Sequence, residues 1–220
     1  MAIKSILFNT EMVRAILDGR KTCTRRIVKP QQFIGMLRDK CKNGAPEEFL
    51  KKKKLMFKPY CDMTDIELIN TAYKAPYQPG DILYVRETFY EDEDCIFYKA
   101  DNEKLTGYRN MRGEDIVVKW HPSIHMPKEA ARIWLKVTDV RVERLQDITL
   151  EDIKNEGIYD DYKTYSKEYL ENLRSVAYPK AFSRLWDSTI KKTDLDRYGW
   201  GANPWVWGIE FERCEKPEGV

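Results

Sequence analysis

Seven consecutive residues, Arg20, Lys21, Thr22, Cys23, Thr24, Arg25 and Arg26, carry one amine, two threonine hydroxyls and three guanidiniums. Cations at that density grip anions, and a hydroxyl near an amine is a potential nucleophile near a base. The competing reading is a solvated strand whose basic edge guards against pairing with another chain. The elements that must position the run are visible on both sides. Upstream, Thr10 can cap a helix whose Val13, Ile16 and Leu17 share one face, and Gly19 supplies a left-handed stop. Downstream, β-branched and cationic residues continue as a strand through Ile27 and Val28 until Pro30 ends the ladder.

Around this run the chain alternates strand and helix signals. Residues 3–8 read as a buried strand, so the chain opens strand, helix, strand. Residues 31–78 read as an insertion, with turn chemistry at Asn43-Gly44-Ala45-Pro46, a short helix at 47–55, and Pro59, Pro76 and Pro79 as punctuation. Strands are expected at 82–86, 95–99, 116–120 and 132–142, which argues for a barrel or sandwich. Thr149 starts a capping box, so 150–156 should be a short helix stopped by Gly157. Glu156 then sits where a carboxylate opposes the helix dipole, which hints at a task elsewhere; a frayed, exposed end is the plain alternative. Helices are expected at 165–175 and 180–191, followed by a last strand at 205–211 with Trp205, Trp207, Ile209 and Phe211 on one core face, and a polar tail at 213–220.

Composition limits the function classes. The 220 residues suffice for one domain with its own core, and 1–220 is read as one. No apolar run approaches the roughly 20 residues of a membrane span, and the first residues lack a secretion signal, so a cytoplasmic protein that does not engage membranes is expected. Five scattered cysteines without a C-x-x-C pair indicate neither a disulfide framework nor a zinc knuckle. His121 and His125 lack a third ligand nearby, so no metal is expected, and no phosphate-binding glycine loop or nucleophile elbow is present. Net charge is +2, yet residues 1–60 hold 15 Lys+Arg against 5 Asp+Glu, which suits a phosphate-bearing partner held at one face. Part of that excess is Lys51-Lys52-Lys53-Lys54, which also reads as a solvated helix face.

Gly19-x-Lys21-x-x-Thr24-x-Arg26 resembles the G-x-K-x-x-[E/T]-x-R signature of ASCH domains, relatives of the RNA-binding PUA domains. Gly80-Asp81-Ile82-Leu83-Tyr84-Val85-Arg86-Glu87 resembles the G-D-x-L-x-V-R-E strand of larger phage and prophage members, and Asn203-Pro204-Trp205-Val206-Trp207 resembles their closing strand. The resemblance implies an α+β fold, a PUA-like (ASCH) β-barrel of five to seven strands with flanking helices. It also implies RNA or a modified nucleoside or nucleotide as partner, with no cofactor. In one branch, amidohydrolases acting on N4-acetylcytidine, a Lys, a Thr and a Glu form the proposed catalytic trio; the matching positions are Lys21, Thr24 and Glu156. For the lysine and threonine to converge, Lys21 must sit in the turn before the strand or at a bulge, because alternate strand residues face opposite ways. Arg20, Arg25, Arg26 and Arg86 are the implied nucleic-acid contacts, and Trp200 or Tyr198 the stacking surface, each competing with a structural role. A non-catalytic nucleic-acid-binding protein, or a phage regulatory protein whose tryptophan-rich end is an interface, are the alternatives.

Overall fold

The computed structural model describes residues 1–29, 31, 64–93, 95–158 and 167–219. The turn at 43–46, the helix at 47–55 and the lysine run at 51–54 lie outside the described residues. No helix among the described residues is long and apolar enough to cross a membrane.

The chain is α+β. Its main sheet contains β1 (Ile3–Leu7), β2 (Cys23–Ile27), β3 (Ile82–Arg86), β8 (Trp134–Arg144) and β9 (Trp205–Cys214) in the order β1-β3-β8-β9-β2. β1 runs parallel to β3 and the other neighbours are antiparallel. The remaining strands form two hairpins, β4 (Phe89–Glu91) with β5 (Ile96–Tyr98) and β6 (Gly107–Arg109) with β7 (Asp115–Val117). The expected barrel does not close among the described residues: its edge strands β1 and β2 share no ladder. The sheet curls enough for the Arg26 Nη2 on β2 to donate to the Leu7 carbonyl at the end of β1, at 3.0 Å.

One face of the curled sheet buries Ile6, Leu83, Val85, Leu135, Val137, Trp207, Ile209 and Phe211, with Phe8 just beyond β1 and Val13 and Ile16 of α1 (Thr10–Leu17). The other face receives α3 (Leu150–Asn155) and α4 (Lys167–Thr189) through Ile153, Tyr178, Phe182 and Trp186, packed with Val206. Asn9, not Thr10, caps α1; its side chain accepts from the Met12 N–H at 2.8 Å. The helix ends in a Schellman pair, Arg20 N–H to Ala15 O and Gly19 N–H to Ile16 O, with Gly19 at φ +72°. α4 is one helix where two were expected. Pro179 lies inside it, between Tyr178 and Phe182, whose burial against Ile153 holds the chain helical on both sides of the proline. β9 extends to Cys214, which pairs with Trp134, so the expected tail begins as sheet.

Between α2 (Asp65–Ala72) and β3, the segment 73–79 lies against the inner face. Asp81 anchors it by accepting from the Gln78 N–H at 3.0 Å, the Ala2 N–H at 3.0 Å and Lys4 Nζ at 2.6 Å. Burial works to raise the Asp81 pKa, but the hydrogen bonds from Lys4, Gln78 and Ala2 outweigh it and hold the group below the ordinary aspartate value. A depressed carboxyl contributes stability above its unfolded pKa of about 3.9 and loses it as pH falls through the lower folded value. Asp81→Ala is therefore expected to cost about 1.5–3 kcal/mol at pH 7 and to flatten the stability profile below about pH 4, measured by urea unfolding across pH. An unchanged acid limb would contradict this role.

Candidate functional site

Lys21 follows the Schellman turn and precedes β2. Its N–H donates to Ala15 O at 2.9 Å, and the residue forms an isolated bridge with Glu156. Placement in the turn frees its side chain from the alternation of the strand. The ammonium donates to Glu156 Oε2 at 2.6 Å, Glu156 O at 3.0 Å and Cys23 O at 2.8 Å. Three donated bonds require all three N–H of the charged form. The pair is sealed from water, with side chains 0% and 5% exposed. Lys21 Nζ also lies 5.5 Å from the centroid of the Phe8 ring.

Glu156 is the C-cap residue of α3, whose N-terminus carries the Thr149–Asp152 capping box. Its second oxygen, Oε1, meets Arg25 Nη1 at 3.3 Å. Arg25 Nε is 2.6 Å from Glu143 Oε1, and its Nη2 is 3.3 Å from Asp152 Oδ1. Arg141 completes the cluster with ion pairs to Glu143, Asp152 and Glu210. Burial disfavours the Arg25 charge, but Glu156, Glu143 and Asp152 outweigh it and raise the pKa. Cys23, beside this cluster, is pushed up to about 12, by burial first and then by Glu156, so its thiol stays protonated and is no nucleophile.

Thr24 is buried on β2 opposite Ile209, and strand alternation puts it on the inner face with Arg26 and Phe8. The structure thus brings Lys21 and Glu156 into contact, while Thr24 is buried on β2. The Thr24 hydroxyl is not one of the three acceptors of Lys21.

An open cleft adjoins this buried pair. Arg26, the cross-strand partner of Trp207, stacks its guanidinium 5.4 Å from the Phe8 ring centroid and lines a cavity of about 290 Å³ with Lys29, Tyr73, Lys74, Tyr77 and Trp207. Burial lowers the Arg26 pKa, opposed by Tyr77 and Glu156. Arg26, Lys29 and Lys74 make no ion pair among the described residues, in contrast to Arg25, Lys21 and Arg141. Tyr77 is fixed by its hydroxyl donating to Ser5 O at 2.8 Å.

The other residues expected at the site are placed elsewhere or engaged. Arg20 is half-buried, pairs with Asp18 and donates to Gly157 O at 2.9 Å. Arg25 faces the carboxylate cluster, away from the cleft. Arg86 clasps the carbonyls of Met126, at 2.8 Å, and Ile124. Trp200 packs edge-on against Phe182 with centroids 5.9 Å apart, and Tyr198 lies under Lys29 Nζ at 5.2 Å. His121 stacks on Tyr90 and packs at a tilt against Phe89, and no group of three His, Cys, Asp or Glu among the described residues could hold a metal ion. Sequence reasoning missed Lys29, Lys74, Tyr73, Tyr77 and Trp207 as cleft residues. The signal available was the interleaving of cation and aromatic in Tyr73-Lys74-Ala75-Pro76-Tyr77.

Gly157 locks the geometry of the Lys21–Glu156 pair. Its φ is +91°, and a Cβ there would lie 2.7 Å from Ala15 Cβ and 3.1 Å from Lys21 Cβ. Gly157→Ala is expected to destabilise the protein by about 2–4 kcal/mol through left-handed strain and overpacking, measured by chemical denaturation. A change below about 0.5 kcal/mol would show that the turn can relax without strain.

A crystal structure of an ASCH domain from Lactobacillus crispatus is similar to this chain at 12% identity and a TM-score of 0.33, covering 96% of this chain and 79% of that one. The sequence matches no family model and no curated protein.

Proposed function

We propose that this chain binds RNA or a modified nucleotide in the cleft beside Arg26. The observation that carries the reading is the juxtaposition, around one cavity, of three cations that make no ion pair among the described residues and three aromatic side chains. Phosphate oxygens neutralise such cations, and the flat rings accept a base without regard to sequence. Arg26 contributes most, because its guanidinium is half-buried with its charge disfavoured, so an anion gains more there than at a fully solvated lysine.

The test is a titration of fluorescein-labelled single-stranded RNA against single variants. Lys29→Ala and Lys74→Ala should each weaken binding by about fivefold, and Arg26→Ala by tenfold or more. Arg86→Ala should change binding little, because Arg86 holds backbone carbonyls away from the cleft. Equal affinity of all four variants and wild type would overturn the reading, and an absence of any RNA or nucleotide binding would favour a protein partner instead.

Hydrolysis of an acylated nucleoside amide such as N4-acetylcytidine is the second reading, favoured by the dry 2.6 Å contact of Lys21 and Glu156, with Thr24 three residues along the chain from Lys21. For the amine to act as base, the proton must first cross that contact to the carboxylate. The neutral amine then takes the Thr24 proton as the hydroxyl attacks the carbonyl, and the protonated Glu156 gives its proton to the departing amine, leaving the acetyl group on Thr24. Glu156 next takes a proton from water as the hydroxide cleaves that ester, Lys21 returns a proton to the Thr24 oxygen, acetic acid leaves, and the proton on Glu156 passes back to Lys21. Incubation with N4-acetylcytidine, following loss of the acetyl group, should show turnover by wild type and near-complete loss in Lys21→Ala, Thr24→Ala and Glu156→Ala, since groups acting as a unit fail together. No turnover by wild type removes this substrate, and turnover that survives Lys21→Ala removes the mechanism.

A further inference from the structure

A second cavity, of about 660 Å³, opens on the other side of the Tyr73–Lys74 segment. It shares Tyr73, Lys74 and Trp207 with the first, so the two are neighbours along one groove. Its own lining differs in kind: Asn70 offers a side-chain amide, the Gln78 amide donates to Tyr77 O at 3.0 Å and keeps its oxygen as an acceptor, and the Thr71 hydroxyl donates to Glu67 O at 2.8 Å and can still accept, where the first cavity offers Arg26 and Lys29. Asn70, Lys74 and Gln78 are exposed, and Tyr73 is half-buried against the core, which fixes the ring between the cavities. Desolvation pushes the Tyr73 pKa up to about 12, so the hydroxyl remains a neutral donor.

The order along the groove is therefore cation-rich chamber, shared aromatic and lysine, amide-rich chamber. A free mononucleotide has one phosphate and one base and can occupy only one chamber with both groups. Two linked nucleotides have a phosphodiester between two bases, and that sequence of charge and ring is complementary to this one. Amides and hydroxyls suit base edges and ribose hydroxyls, while a lysine at the junction that makes no ion pair among the described residues suits the bridging phosphate.

Resting on the nucleotide-binding reading above, we propose that the groove holds two consecutive nucleotides of a single strand, with Lys74 on the phosphate between them and the Asn70–Gln78 chamber as the second nucleotide subsite. The ligand class is thus an oligonucleotide rather than a free nucleotide. Lys74 is a binding residue for both subsites, and Asn70 serves the second alone.

The experiment titrates the full chain with uridine 5′-monophosphate, the dinucleotide pUpU and a tetranucleotide of uridine by calorimetry. Affinity should rise at least about tenfold from one nucleotide to two, consistent with one added stacking contact. Asn70→Glu places a carboxylate at an exposed position in the second chamber. It should remove the dinucleotide advantage while leaving the mononucleotide affinity within about twofold. Equal affinity for mononucleotide and dinucleotide would overturn the two-subsite proposal while leaving nucleotide binding intact. A dinucleotide advantage that survives Asn70→Glu would overturn the placement of the second subsite. Failure of all three ligands to bind would overturn the underlying reading together with this one.

Discussion

Arg25→Met is expected to lower the unfolding free energy by about 3–5 kcal/mol, because it removes the cation shared by three carboxylates inside the protein. Glu143, Asp152 and Glu156 all lie within 3.3 Å of its guanidinium. Methionine fills much of the volume, so the loss reads the uncompensated charge rather than a cavity. Arg141 still serves Glu143 and Asp152, and Lys21 still serves Glu156, which sets the upper end of the range. Arg20→Met, at a half-exposed guanidinium paired with exposed Asp18, should cost less than about 1 kcal/mol. Urea unfolding at neutral pH measures both, with the midpoint moving and the slope unchanged. A loss at Arg25 no larger than that at Arg20 would show that the buried cluster contributes nothing net to stability.

Arg25 also shows where sequence reading stopped. As a cation in a basic run it looked like an anion contact, and nothing local distinguished it from Arg26. Its principal partners lie 118 and 131 residues later, and only the β2–β9 and β8–β9 ladders and the packing of α3 bring them to it. Glu156 was legible for the opposite reason. A carboxylate at the negative end of a helix breaks a local rule, and the structure supplies what offsets it, Lys21 on one oxygen and Arg25 on the other. The Gly19 turn, the capping box at Thr149 and the core face of β9 could be read because each rests on neighbours within a few residues, whereas the α+β class was implied by the resemblance of three separate segments to one family. The capping of α1 went to Asn9 because Asn and Thr are both good caps one position apart, and the residue count leaving β1 decides between them. The helices expected at 165–175 and 180–191 are one, because burial of Tyr178 and Phe182 against distant residues holds the chain helical across Pro179. The cleft was hidden because Tyr73, Lys74 and Tyr77 lie in a stretch that reads as an insertion, and Asp81, by anchoring Gln78, swings that stretch against β2 and β9.

The largest effect on ligand binding is expected from removing the three cleft cations together. The combined Arg26→Ala, Lys29→Ala, Lys74→Ala variant should bind single-stranded RNA about 250-fold more weakly than wild type at low salt, the product of the single effects, since each phosphate contact contributes about 1 kcal/mol or more. The salt dependence separates this from general damage. Each neutralised phosphate on a single strand contributes about −0.7 to the slope of log affinity against log salt, so three contacts account for about −2. Arg26 also ties β2 to Leu7, so the thermal midpoint of the variant is recorded alongside its binding.

Titration of labelled single-stranded RNA across about 50–200 mM salt, with wild type and the triple variant side by side, tests the cleft most directly. The account predicts a steep wild-type slope that becomes shallower by about 2 in a variant that remains folded. Binding by the triple variant with the wild-type affinity and slope would contradict it.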